Sequence, residues 1–320
     1  MLGLMLLNGC SSIPSSSINT HASNTKPKAP VIALVLGGGG AKGFAHVGVI
    51  KALEANNIHP NLVVGTSVGS FVGSIYASGK SINQLQSIAL NVADSELTDF
   101  TLSYQGIIEG EKLREFVNYQ VNNQSIDSFP IRFAAVAAEK STLKKVVFTK
   151  GEAGLIVQAS SSVPNVFIAP RIPDPKTSGI VGKKYIDGGV VSIVPVDAAK
   201  DLGADVIIAV DLQVGKQTDN QPIAGNKSIW SLIEQGYHTY TNNSQPSTKT
   251  NPYAQGNNNF QRLNDAEIAR ADVVILPDVA NFSSISTVNR KEAIEAGVKA
   301  TELKMPAIKE AIEKANLASR

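Results

Sequence analysis

The chain has 320 residues, 43% of them hydrophobic, enough for one sizeable core or two modest ones. Its 29 basic and 27 acidic side chains leave a formal net charge of +2, which gives no footprint for nucleic-acid binding. The single cysteine, Cys10, excludes disulfides within the chain and cysteine-based metal clusters. The four histidines, His21, His46, His59 and His238, are scattered without metal-ligand spacing, so neither metal nor cofactor is expected.

The first ten residues are apolar and end in Leu7-Asn8-Gly9-Cys10, which is similar to the lipobox of a bacterial lipoprotein signal, whose cysteine becomes the lipidated first residue of the mature protein. The departure is the absence of Lys or Arg before Lys26, where a signal peptide carries a basic start. Residues 11–30, rich in Ser, Asn, Thr and Pro, read as a flexible tether. No later run reaches the roughly 18 apolar residues of a membrane span. The expectation is a protein lipid-anchored to the membrane surface of a bacterial cell envelope, on the periplasmic face, with Ser11 compatible with transport to an outer membrane.

From Val31 onward, strand and helix patterns alternate. Val31–Leu36 is an unbroken apolar, β-branched run, as in a buried parallel strand. Gly37–Gly43 follows, then a helix from Phe44 to Asn56 with Val47, Ile50 and Leu53 on one face. Leu62–Val64 predicts a strand and Val68–Ala77 a helix of small and apolar residues. Ser81–Val92 and Glu111–Val121 read as amphipathic helices, and Ile131–Ala138 and Lys145–Phe148 as strands. Gly151–Ala159 reads as a helix, Lys184–Ile186 as a short strand, Val196–Leu202 as a helix and Val206–Val210 as a strand. Residues 213–265 interrupt this rhythm with Asn, Gln, Thr, Gly and Pro around one candidate helix, Ser228–Tyr240. Trp230, Leu232, Ile233, Tyr237 and Tyr240 give that helix an apolar side, as in a packed surface insertion or a lid meeting lipid. Val273–Leu276 is a strand, and Arg290–Lys304 a helix that Pro306 kinks or ends. This alternation predicts an α/β fold, a three-layer α/β/α arrangement over residues 31–320 with a mostly parallel central sheet.

Three glycine-framed elements carry the chemistry. Gly65-Thr66-Ser67-Val68-Gly69, between strand and helix, reads as a nucleophile elbow that presents the Ser67 hydroxyl at the top of the sheet. Gly38, Gly39 and Gly40, ahead of a helix N-terminus, are placed to aim backbone N–H groups at the oxyanion of a tetrahedral intermediate. Lys42 either steadies that loop or its anion, or is simply solvated. Asp187, before Gly188 and Gly189, is the candidate base in a tight turn. The spacing of Gly38, Gly40 and Gly43 also fits a dinucleotide fingerprint, but Gly65–Ser67 stands where that motif needs an acidic residue, and no Gly-Lys-Ser/Thr closes a P-loop. A Ser-His-Asp triad would draw on His46, which precedes the serine, or on His238 in the irregular insertion.

With these motifs in hand, the chain resembles the patatin-like phospholipase family from about Val31 to Ala315. The family's G-G-G-x-[KR]-G matches Gly38–Gly43, its G-x-S-x-G matches Gly65–Gly69, and its D-G-[GA] matches Asp187–Gly189; the block Ala159–Pro164 is also family-like. The resemblance implies a Ser67–Asp187 dyad, a glycine-loop oxyanion hole, a structural role for His46, and hydrolysis of phospholipid, lysophospholipid or simple fatty-acyl esters. An acyltransferase using the same acyl-enzyme, or a catalytically idle lipid-binding envelope protein, are the rival functions.

Overall fold

The computed structural model describes residues 29–103, 106–173, 181–213, 256–283 and 286–319. Cys10, the tether and the Ser228–Tyr240 helix with its aromatic side fall outside the described residues.

Strand β1 (Ile32–Leu36) leads through a 3-10 turn at Gly40–Gly43 into helix α1 (Phe44–Ala55), and β2 (Leu62–Thr66) leads directly into α2 (Val68–Ala77). After them come α3 (Ile82–Asn91), α4 (Asp94–Leu97), a hairpin of β3 (Phe100–Ser103) and β4 (Gly106–Ile108), and α5 (Glu111–Gln120). Then follow β5 (Arg132–Glu139), β6 (Lys145–Phe148), α6 (Ala153–Ser161), β7 (Arg171–Ile172), β8 (Lys183–Asp187), α7 (Val196–Asp201) and β9 (Val206–Val210). The described chain ends with α8 (Gly256–Ile268), β10 (Val273–Ile275) and α9 (Arg290–Ala318). Ser81 starts α3 as expected of a capping serine, exchanging hydrogen bonds with Gln84 in a capping box.

The main sheet runs β10-β9-β1-β2-β5-β8-β7, with β6 on the other edge of β5. Strands β10, β9, β1, β2 and β5 are parallel to one another, whereas β6 and β8 run antiparallel to β5. The apolar runs are unbroken because both faces are covered. Leu34, Leu36, Val63, Phe133 and Ile208 point into one core with α1, α2, α3 and α9. Ala33, Val35, Leu62, Val64 and Ala134 point into a second core with α7 and Ile268 of α8. The expected three-layer α/β/α fold with a mostly parallel sheet is therefore present.

Two expectations need correction. Helix α9 does not end at Pro306 but continues to Ala318. Pro306 faces solvent, while Thr301, Met305 and Ile308 are buried and hold both halves of the helix to the core. The irregular stretch 213–265 also contains the start of α8, a helix that low propensity of its asparagines hides and that the hydrogen bonds of buried Glu267 and the packing of Ile268 tie to the core.

Two features of the topology place the site. From β1 the chain proceeds toward β2 and β5 on one side, and β9 and β10 return on the other. The carboxyl end of β1, where Gly37–Gly43 sits, is thus a topological switch point, the usual place for a ligand crevice in an open α/β sheet. The second feature is the edge of β5. Thr66 pairs with Val136 in the parallel register, and Asp187 pairs with the next residue, Ala137, in the antiparallel one. Since β6 fills the opposite edge of the same residues, β2 and β8 meet end to end along β5, which brings Ser67 and Asp187 together.

Candidate active site

Ser67 occupies the turn between β2 and α2 with φ 54° and ψ −126°, a left-handed conformation for a residue with a side chain. Such strain costs on the order of 1–3 kcal/mol and persists only where the surroundings enforce it. They do so from both sides. The Ser67 N–H donates to Ser160 Oγ (3.0 Å), whose hydroxyl in turn donates to the Val136 carbonyl (2.6 Å). The Ser67 carbonyl accepts from the Ser70 N–H (2.8 Å) and the Ser70 hydroxyl (2.7 Å). The turn is also too tight for larger neighbours: a Cβ on Gly65 would overlap the Gly69 carbonyl, and one on Gly69 the Leu36 carbonyl.

Asp187, only 2% exposed, ends β8 with its N–H donating to the Ser162 carbonyl (2.9 Å). Its Oδ1 accepts the Gly189 N–H (2.7 Å), and the Ser67 hydroxyl lies close enough to act on its carboxylate. Burial pushes its pKa up to about 6, and the hydrogen bonds from Ser67 and Gly189 pull against that rise. Gly188 fits where it does because a Cβ there would overlap the Val136 carbonyl. The carboxylate is thus basic enough to take a proton and still ionised at neutral pH.

The glycine loop is fixed by its neighbours. Gly37 N–H donates to Val210 O (3.1 Å), Gly37 O accepts from His46 Nε2 (2.8 Å), and Gly38 O accepts from Gln213 Nε2 (3.0 Å). Gly38 departs from its expected role, since its N–H is directed to Ile193 O (3.0 Å) and not into the crevice. Among the described residues no acceptor pairs with the N–H groups of Gly39 or Gly40. Gly39 caps and Gly40 opens the 3-10 turn that leads into α1, with Gly40 at φ 57°. These two amides are the backbone donors the loop leaves available at the crevice.

The supporting residues sort by contact. Gly43 lies against Val68, where a Cβ would overlap the valine side chain. Lys42 is buried outside the crevice lining, and its Nζ donates to Ala280 O (3.4 Å), so it steadies the loop. His46 is fully buried, its pKa pushed down to about 4 by desolvation against the Gly37 hydrogen bond. Its ring is tied to the loop and does not line the crevice, so His46 completes no triad. His238 lies outside the described residues. Among the described residues no group of three His, Cys, Asp or Glu side chains gathers as a metal site, and no helix is long and apolar enough to cross a membrane.

A cavity of about 260 Å³ opens on Gly38, Gly39, Gly40, Ser67, Asp187 and Gly189. It continues along Phe71, Ile75, Leu85, Ile88 and Leu97, all apolar. Ser67, Phe71 and Ile75 stand one helical turn apart, so the lining extends about 12 Å along α2. The sequence reading missed several contributors. Gln213 falls in the stretch that reads as the insertion, α4 carries no sequence signal of its own, and Ser160 and Ser162 stand out in sequence only as part of the Ala159–Pro164 block. Also missed was a brace behind the elbow. Thr66 Oγ1 donates to Ser192 O (3.0 Å), and the Ser192 hydroxyl donates to the buried Glu267 carboxylate (2.8 Å to Oε2). Glu267 also accepts from Asp197 N–H (3.1 Å) and Lys145 Nζ (3.3 Å). Glu267 has no motif around it and could be found only from the fold.

Residues 34–200, more than half of the 320-residue chain, match the family described as Patatin: Patatin-like phospholipase. Over 208 residues the chain is 31% identical to the mouse (Mus musculus) patatin-like phospholipase domain-containing protein 6, covering 63% of this chain and 15% of that protein. It is 33% identical over 199 residues to an uncharacterised NTE family protein of Mycobacterium tuberculosis, covering 60% of this chain and 53% of the other. The chain thus aligns with only part of the length of these curated relatives. In fold it is similar to VipD from Legionella pneumophila, with a TM-score of 0.56, 12% identity, and coverage of 88% of this chain and 67% of VipD. The matched segment begins within β1 and ends within α7, so it takes in the glycine loop, the elbow and Asp187 together, and the chain belongs to the patatin-like phospholipase family.

Proposed function

We propose that the protein hydrolyses carboxylic esters of lipids through an acyl-enzyme on Ser67, with Asp187 as the base. The observation that carries this reading is the buried Asp187 carboxylate beside the hydroxyl of a strained, firmly held Ser67 at the head of an apolar cavity. As Ser67 Oγ bonds to the ester carbonyl carbon, its proton passes to Asp187. The carbonyl oxygen becomes an oxyanion that the Gly39 and Gly40 N–H groups receive, a donor pair of the kind whose loss costs about 10²–10³ in turnover per donor. Collapse breaks the bond to the alcohol oxygen, which takes the proton from Asp187. Water then attacks the acyl carbon, gives its proton to Asp187, and Ser67 leaves with that proton restored.

Membership of the family supports lipid esters as the substrate class, and the apolar walls along α2 and α3 support an acyl chain as the part bound. Phospholipid, lysophospholipid and simple fatty-acyl esters all fit this reading. The test is hydrolysis of esters of rising acyl length by the wild type, Ser67→Ala and Asp187→Asn. The reading expects activity that grows with chain length and disappears in both variants while folding is kept; equal turnover in Ser67→Ala overturns it.

The same proposal places the enzyme at a bacterial envelope through acylated Cys10. Labelling with radioactive palmitate should be lost in Cys10→Ala, and the variant should leave the membrane fraction. Label retained in that variant would contradict the anchor.

A further inference from the structure

The three serines that close α6 divide their work unevenly. Ser160 Oγ holds the Ser67 N–H (3.0 Å) and donates to Val136 O (2.6 Å). Ser162 receives the Asp187 N–H on its carbonyl (2.9 Å), and its hydroxyl donates to Gln158 O (2.6 Å). Ser161 lies between a residue bonded to the backbone of Ser67 and one bonded to the backbone of Asp187. Its Oγ is enclosed with no hydrogen-bond partner among the described residues, and the residue lines the crevice with Ser67, Asp187 and Gly189. A serine in the last turn of a helix ordinarily turns its hydroxyl back to the carbonyl four residues earlier, as Ser162 does. An enclosed hydroxyl without a partner carries a desolvation penalty, which turning about the Cα–Cβ bond into the crevice to meet a ligand would remove.

We propose that the Ser161 hydroxyl contacts the substrate, donating a hydrogen bond to the leaving-group oxygen of the ester. This rests on the acyl-enzyme reading above. The carbonyl oxygen is served by Gly39 and Gly40, whereas the leaving oxygen must reach Asp187 to be protonated, and Ser161 is carried by the strand of chain bonded to Asp187. As the tetrahedral intermediate collapses, the bond from acyl carbon to leaving oxygen breaks and its electron pair stays on that oxygen. Asp187 gives the oxygen a proton. Ser161 keeps its own proton and stabilises the negative charge while the transfer proceeds.

A pair of esters with one acyl chain and different leaving groups separates this role from a structural one. With the full chain, kcat/KM is compared for p-nitrophenyl octanoate, whose phenolate leaves with little help, and for ethyl octanoate, whose alkoxide needs it. Ser161→Ala should lower kcat/KM for the ethyl ester by about ten- to hundredfold, and for the aryl ester by less than about threefold, the range expected for one charge-assisted hydrogen bond. Ser161→Cys, close in volume with a weaker donor, should fall between, and it carries the comparison if the alanine variant does not fold. An equal loss on both esters, or none on either, overturns the proposal. If Ser67→Ala is as active as wild type, the acyl-enzyme reading itself fails. If Ser67→Ala is inactive and the ester ratio in the Ser161 variants is unchanged, only the role of Ser161 fails.

Discussion

Asp187→Asn is expected to inactivate the protein and stabilise it in the same step. The carboxyl is fully enclosed and its pKa is pushed up to about 6 from 3.8, chiefly by desolvation. Between those values the folded state holds a proton that the unfolded chain has released, so stability falls as pH rises through that window, and the whole cost is present above pH 6. The rise corresponds to about 3 kcal/mol at 1.36 kcal/mol per pH unit. Asparagine keeps an oxygen for the Gly189 N–H and carries no charge to desolvate. Thermal unfolding of wild type and variant, followed by circular dichroism at pH 4 and pH 8 in matched ionic strength, reads the difference. At about 2 °C per kcal/mol for a chain of this size, the variant should melt about 6 °C higher at pH 8 and near the wild type at pH 4. A melting difference independent of pH, or a variant less stable at pH 8, would refute the assignment of a desolvated carboxylate at the centre of the site.

Three other consequences follow from particular contacts. Glu267→Gln removes a charged acceptor from Ser192, Asp197 and Lys145, and should lower stability by about 2 kcal/mol in denaturant titration. It should also reduce kcat more than it raises KM, because the loop carrying Ser192 and Ile193 holds both Thr66 and Gly38. Gly48→Ala places a Cβ on the Ile294 carbonyl where α1 crosses α9, and should cost about 1–3 kcal/mol, seen as a lower denaturant midpoint. Ile88→Trp narrows the apolar lining away from Ser67, and in an ester series should move the preferred acyl chain to a shorter length while short esters are still turned over.

Much of the architecture was legible because its signals are local. The strand at Val31–Leu36, the glycine run and the Gly65–Gly69 pentapeptide each impose a local geometry, and α2 begins and ends where its small apolar residues predict. What lay beyond reach depends on partners distant in sequence. Lys183–Asp187 reads as a short strand in either direction, and only its docking along β5 makes it antiparallel and brings Asp187 to Ser67. The glycine run alone cannot tell which amides stay available; Ile193, about 155 residues on, claims the Gly38 N–H. Helix α8 begins in an asparagine-rich run whose propensity argues against it, and Pro306 argues for a stop where buried Met305 and Ile308 carry the helix on. In these two helices tertiary packing outweighs a local preference of about 1–3 kcal/mol.

Labelling with an alkyl fluorophosphonate, which leaves a stable phosphonyl group on an activated serine, reads out whether Ser67 is a nucleophile activated by Asp187. Peptide mapping by mass spectrometry identifies the residue, and the labelling rate is followed from pH 4 to pH 8. One adduct is expected, on Ser67, formed at a rate that climbs through pH 6 as Asp187 ionises and loses that dependence in Asp187→Asn. An adduct on another residue, or a wild-type rate indifferent to pH across that range, would contradict it.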